Sequence, residues 1–112
     1  MNKYHNKKII NEYGEFDSLK EYKYFLLFKQ EEELGLIKNL RRQVKYVLLE
    51  KDRVEDKAIR EISYYADFEY EDANGNIHTI DVKASNKFQD DVYKLKKKLF
   101  ASKYRRWIEE KY

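Results

Sequence analysis

The chain has 112 residues, enough for one folded core and too few for two, and its 42% apolar content with 11 Tyr and 6 Phe excludes a disordered chain although 40% of residues are charged. There is no Cys, which excludes disulfides, thiolate metal sites and cysteine nucleophiles, and no apolar run is long enough to span a membrane. The net charge of +3 hides a segregation: residues 11–91 hold 13 bases against 19 acids, whereas residues 92–106 carry seven Lys or Arg and no acid.

The chain opens on a basic arm, about residues 1–10, with Lys3, Lys7 and Lys8 and no acid. The arm lacks the apolar stretch of a signal peptide, and with the absence of Cys it points to a reducing cytoplasm. Ser18 followed by Glu21 has the S-x-x-E pattern of a capping box and predicts a helix over about 18–33, ended by Gly35. In 43–50, Val44, Tyr46 and Leu48 alternate with Lys45, Val47 and Leu49, a strand with both faces partly covered; 51–57 reads as a charged connection. From Ile62 the alternation is clean, with Ile62, Tyr64, Ala66, Phe68 and Tyr70 on one face and Ser63, Tyr65, Asp67, Glu69 and Glu71 on the other. Residues 73–76 form a turn, and 77–84 return as a strand with Ile80 and Val82 on one face and Thr79, Asp81 and Lys83 on the other. Asp90 and Asp91 open a second helix with Val92, Leu95 and Leu99 on one side and Lys94, Lys97 and Lys98 opposite. The tail, 105–112, adds a short strand through Trp107 and Ile108. The order is helix, three strands, helix, strand, in a single domain spanning 1–112.

The hairpin register decides where the acids meet. A two-residue Asn74-Gly75 loop would set Asp81 opposite Phe68, a carboxylate against the apolar face. A three-residue loop, Ala73-Asn74-Gly75, puts Gly75 in the left-handed position that this loop favours and sets Asp67 opposite Asp81. Opposed residues have Cβ atoms ~4.5–5.5 Å apart, so two carboxylates there repel unless a cation lies between them. Oxygen-only ligation favours a hard ion, Mg²⁺ or Mn²⁺. The competing reading of Asp81 and Lys83 is a cross-strand salt bridge on a solvated face, and acid-x-Lys occurs four times in this charged sequence. Glu21 has two readings as well: the third-position acid of the capping box, or a carboxylate on the face of Phe25 and Phe28, turned towards covered structure. His5 and His78 are isolated imidazoles with no metal-ligand spacing, and Tyr65 shares the parity of Asp67.

The segments Asn2-Lys3-Tyr4-His5-Asn6-Lys7-Lys8, Glu15-Phe16-Asp17-Ser18 with Glu21, Gln43, Tyr65-x-Asp67-Phe68, Asp81-Val82-Lys83 and Lys96-x-Lys98-Leu99-Phe100 resemble small phage-encoded proteins of the PD-(D/E)XK nuclease superfamily. The chain departs from that pattern at Ala66, where the superfamily has Pro, and at Ala84, where small phage relatives often have Gly. The resemblance implies an α/β restriction-endonuclease-like core, a mixed sheet flanked by helices. It also implies a Mg²⁺- or Mn²⁺-dependent endodeoxyribonuclease that leaves a 5′-phosphate. Asp67, Asp81 and the backbone carbonyl of Val82 would then hold the metal, Glu21 a second or hydrated ion, and Lys83 would act on the attacking water and the phosphate. Lys3, Lys7, Lys8, Lys94, Lys97 and Lys98 would contact DNA, and no membrane is involved. The implied setting is a phage protein in the bacterial cytoplasm acting on branched recombination or replication intermediates in the manner of a Holliday-junction resolvase, as a homodimer where two strands are cut. The alternative is a non-catalytic nucleic-acid- or protein-binding module that retains the fold.

Overall fold

The computed structural model describes residues 8–84 and 89–112. β1 (Ile9–Asn11) and β2 (Gly14–Phe16) pair as a tight antiparallel hairpin, so the basic arm gives way to a strand at Ile9. α1 (Leu19–Glu33) begins where the capping box places it, with Ser18 Oγ accepting from Glu21 N at 3.1 Å. It ends at Leu34, whose N–H donates to Gln30 O, and Gly35 follows at φ +78°.

β3 (Ile37–Leu49) starts six residues earlier than the strand expected over 43–50. Its first half is rich in Lys, Asn and Arg, which hides a strand from a reading by alternation. These side chains are matched by acids on the neighbouring strand: Arg41 pairs with Glu69 and Asn39 bonds Glu71. The connection over 51–57 is structured too, as β4 (Asp52–Val54) and β5 (Lys57–Ile59) form a hairpin turning at Glu55, φ +54°.

β6 (Ile62–Asp72) and β7 (Ile77–Val82) form the expected hairpin. Gly75 has φ +83°, its N–H donates to Asp72 O at 3.0 Å, and Asp72 N donates to Asn76 O at 2.9 Å. The register runs from Glu71↔Ile77 to Phe68↔Ile80, that of the three-residue loop. α2 (Asp91–Tyr104) is capped by Asp90, whose carboxylate accepts from Tyr93 N at 2.8 Å. β8 (Glu109–Lys111) lies just beyond the expected Trp107 and Ile108 and runs parallel to β7. The described residues form an α/β fold with two helices and a mixed sheet in the order β3-β6-β7-β8. Neither helix is long and apolar enough to cross a membrane.

Two aromatic cores cover this sheet. Phe16, Phe25, Phe28, Ile37, Phe68 and Ile80 pack with α1, while Val44, Tyr46, Leu48, Tyr64, Ala66, Phe100 and Ile108 pack with α2. They occupy opposite faces: Phe68 and Ile80 belong to the first, whereas their chain neighbours Glu69 and Thr79 both meet the Tyr46 hydroxyl of the second. The β6 face read as continuous is therefore divided, with Tyr64 and Ala66 towards α2 and Phe68 and Tyr70 towards α1. The change falls at Asp67 and Gln43. Gln43 has φ +50°, which interrupts the extended backbone that alternation needs, and the ladder steps from Arg42↔Phe68 to Val44↔Ala66.

The buried face of α2 also differs from expectation. Val92 and Leu95 are 62% and 56% exposed, and Leu99 alone of that trio joins the core. Tyr93, Phe100 and Tyr104 pack inward instead, because aromatic rings bury more area per position and pair edge to face; Phe100 meets Tyr46 at 90° and 5.0 Å.

Candidate active site

Where the β6–β7 ladder stops at Phe68↔Ile80, the next step opposes Asp67 and Asp81. Asp67 Oδ2 accepts from Val82 N at 2.7 Å, so a side chain takes the place of a ladder carbonyl. Asp81 is engaged on both oxygens: Oδ2 lies 2.6 Å from Lys83 Nζ, and Oδ1 accepts from Tyr64 Oη at 3.0 Å.

The start of α1 closes the other side. Glu21 is only 2% exposed, and its two oxygens reconcile its two readings. Oε1 accepts from Asp17 N at 2.9 Å, completing the turn before the helix, while Oε2 accepts from Gln43 Nε2 at 3.0 Å. The same amide lies 3.5 Å from Asp67 Oδ1, so Gln43 joins the two acids, and its left-handed backbone puts the amide there. Lys20 Nζ donates to Lys83 O at 3.0 Å and Ala84 O at 3.4 Å, tying α1 to the end of β7. These groups line a cavity of about 310 Å³ bounded by Asp17, Lys20, Glu21, Asp67, Asp81 and Lys83.

Burial, helped by the charges of Asp81 and Glu21 and opposed by the Val82 N–H bond, lifts the Asp67 carboxyl to about 7. Burial likewise raises Glu21 above the usual carboxylate range, although Asp17 N–H opposes this. The Tyr64 hydroxyl is pushed up by burial and by Asp81, so it stays neutral and donates. Lys83 Nζ stands 3.1 Å from the centroid of the Tyr93 ring while holding Asp81, a cation between a ring face and a carboxylate.

Four carboxylates, those of Asp17, Glu21, Asp67 and Asp81, therefore line one cavity with two ammonium groups, those of Lys20 and Lys83. The donors are all oxygen and suit a hard divalent ion. Among the described residues no three acids or imidazoles yet stand together as a ligand set. Lys83 and Tyr64 hold Asp81, and the Gln43 amide spans Glu21 and Asp67.

The other expected site residues separate. Lys94 and Lys98 are exposed on α2. Lys97 is not a free phosphate contact: its Nζ lies 2.9 Å from Glu110 Oε2, joining α2 to β8. Burial opposes ionisation of Glu110, yet Lys97 and the Tyr93 hydroxyl hold it down at about 2. Lys8 pairs with Glu15 at 2.9 Å on an exposed hairpin. Lys3, His5 and Lys7 lie outside the described residues. His78 sits between Asp72 and Glu109, at 2.8 and 2.5 Å, and Tyr65 is 57% exposed.

Four site residues had no assigned role in the sequence reading: Lys20, Gln43, Tyr64 and Tyr93. Tyr64 shares parity with core residues, which conceals its hydroxyl. Tyr93 sits in the first turn after the Asp90 cap, the one local sign that it faces back towards the strands. Gln43 has no local signal, because its placement depends on a positive φ in a strand.

A family model described as "Protein of unknown function (DUF1064)" matches residues 1–111. No curated protein matches the chain, and no solved structure does.

Proposed function

Since the chain belongs to the DUF1064 family, whose description assigns no activity, its chemistry rests on the site, and we propose a metal-dependent DNA endonuclease of the PD-(D/E)XK kind. The observation that carries this reading is the gathering of Asp67, Asp81, Lys83 and the buried Glu21 around one cavity at the open end of the β6–β7 hairpin. A salt bridge alone explains Asp81 and Lys83; it leaves the half-buried Asp67 beside the buried Glu21 with the Gln43 amide between them.

Asp67, Asp81 and the Val82 carbonyl would hold Mg²⁺ or Mn²⁺, with Glu21 facing the same space. When bound, that ion polarises the phosphodiester and favours an ionised attacking water. The chain's own groups then have distinct tasks. Tyr64 fixes the rotamer of Asp81 through its hydrogen bond. Gln43 spaces Glu21 from Asp67. Lys83 lies within reach of Asp81 and of any phosphate beside it, where its ammonium donates to oxygens that gain negative charge in the transition state. The Tyr93 ring below limits where that ammonium can move.

The second reading, a nucleic-acid- or protein-binding module without catalysis, is favoured by one observation: both oxygens of Asp81 already have partners. The two readings part on linear, nicked and four-way-junction DNA incubated with Mg²⁺, Mn²⁺ or EDTA. A nuclease cuts at least one substrate with metal, not in EDTA, and loses cutting in Asp81→Asn. Binding without cleavage under every metal condition refutes catalysis.

A further inference from the structure

At the far end of α2 a second groove, about 440 Å³, is lined by Lys98, Ala101, Ser102, Arg105, Arg106 and Trp107. Three cations and an indole line it, with no carboxylate among these residues. Trp107 is 63% exposed and is the chain's one Trp. Lys98 and Arg105 are exposed and make no ion pair among the described residues. Arg106 is fixed from below, donating to Thr79 Oγ1 at 3.1 Å and Tyr46 Oη at 3.3 Å. Ala101 and Ser102 keep the floor low beside the indole.

Arg105 gives an independent sign. It caps α2 in the left-handed conformation, φ 62° and ψ 34°, with its N–H on Ala101 O at 3.0 Å. Gly fills this position without strain, so an Arg here carries a conformational cost. Its Nη1 donates only to Ser102 O, at 3.2 Å, which leaves most of the guanidinium edge open to the groove.

An open aromatic face bordered by cations, with no acid, suits one kind of ligand: a base to stack, with phosphates on either side. We infer that this groove binds an unpaired segment of a nucleic-acid strand, with a base on Trp107 and phosphates at Lys98 and Arg105. A base inside a duplex has both faces stacked on its neighbours and offers none to Trp107, so duplex is disfavoured.

Its consequence for substrate choice rests on the nuclease reading above. From Tyr93, beneath Lys83, to Arg105 is twelve residues, or about 18 Å of helix. Stacked nucleotides rise about 3.4 Å each, so the groove lies roughly five nucleotides from the cavity. The substrate is then a duplex in which one strand becomes single within about five nucleotides of the cut, as at a flap, a branch or a frayed end.

Because Trp107 is the one Trp, its fluorescence reports this groove alone, without metal or cleavage. Titrating the intact protein with a 12-residue oligothymidylate in EDTA should quench that emission saturably, and blunt duplex should need at least about tenfold more. Trp107→Ala, followed by anisotropy of a labelled strand, should weaken binding about tenfold or more. Arg105→Gly should keep or raise the melting temperature, weaken strand binding several-fold, and reduce the log-salt slope by about 0.7. Absence of quenching, equal quenching by duplex, quenching by polyglutamate or by ATP alone, or an Arg105→Gly variant binding as wild type would each overturn the inference. Quenching without any cleavage removes the nuclease reading alone, and cleavage without quenching removes this one alone.

Discussion

Replacing Asp67 with Asn should stabilise the metal-free protein at neutral and alkaline pH, against the usual cost of altering a half-buried polar group. The folded carboxyl titrates near 7 against a reference of 3.8, about three units, each worth ~1.36 kcal/mol. The folded state thus binds this proton more tightly than the unfolded chain, and wild-type stability falls as pH rises from about 4 to 7. Above 7 the full cost stands, about 4 kcal/mol. Asn carries no charge and escapes it. The Asn carbonyl retains the Val82 N–H, but its amide group then faces the Gln43 amide, two donors together, at a loss of ~1 kcal/mol. The net gain is about 3 kcal/mol at pH 8 and close to zero or slightly negative at pH 4. Urea denaturation in EDTA, followed by circular dichroism at both pH values, measures it. A variant no more stable than wild type at pH 8, or a gap that is the same at both pH values, refutes the crowded-carboxylate account of the site.

On the nuclease reading proposed above, Lys83→Ala should lower cleavage by about 10²-fold or more at a temperature where both proteins are folded, and it should also melt lower, because it leaves Asp81 without the cation of a largely buried pair. Cleavage at the wild-type rate returns Lys83 to a salt bridge. Burial of His78 opposes protonation, but hydrogen bonds to Asp72 and Glu109 outweigh it, so its folded pKa is raised. The stabilisation from His78 is therefore fully present below its unfolded value near 6.5 and is lost as pH rises through the folded value. The stability gap between wild type and His78→Ala should shrink from pH 6 to pH 9, and a gap that widens refutes the assignment. Phe28→Ala empties a site where the ring meets Phe68 at 5.3 Å and Tyr70 at 5.2 Å. It should cost about 3–5 kcal/mol in urea denaturation, and a loss under 1 kcal/mol contradicts the α1 core.

The parts of this fold that were legible in sequence are those set by contacts between near neighbours. Ser18 with Glu21, Asp90, and Gly75 in its three-residue loop each settle their own backbone locally, and the hairpin loop alone brings Asp67 and Asp81 together. What escaped depends on partners far along the chain. The polar half of β3 becomes a strand because Glu69 and Glu71 answer Arg41 and Asn39. α2 turns Tyr93 and Phe100 inward, not Val92 and Leu95, because Tyr46 and Tyr64 wait on the sheet. Lys97 looked identical to Lys94 and Lys98 until β8 presented Glu110. Gln43 is the extreme case: neither its φ nor its two carboxylate neighbours follow from its own segment.

The exchange of faces at Gln43 and Asp67 means that the protein's two stores of buried aromatic area meet along a line, and the site lies on that line. The acids on the seam can be neutralised without emptying a cavity in either store. Packing and the polar seam are thus carried by separate sets of side chains, and substitutions at Asp67 and Asp81 act on the seam without removing apolar volume from either aromatic store.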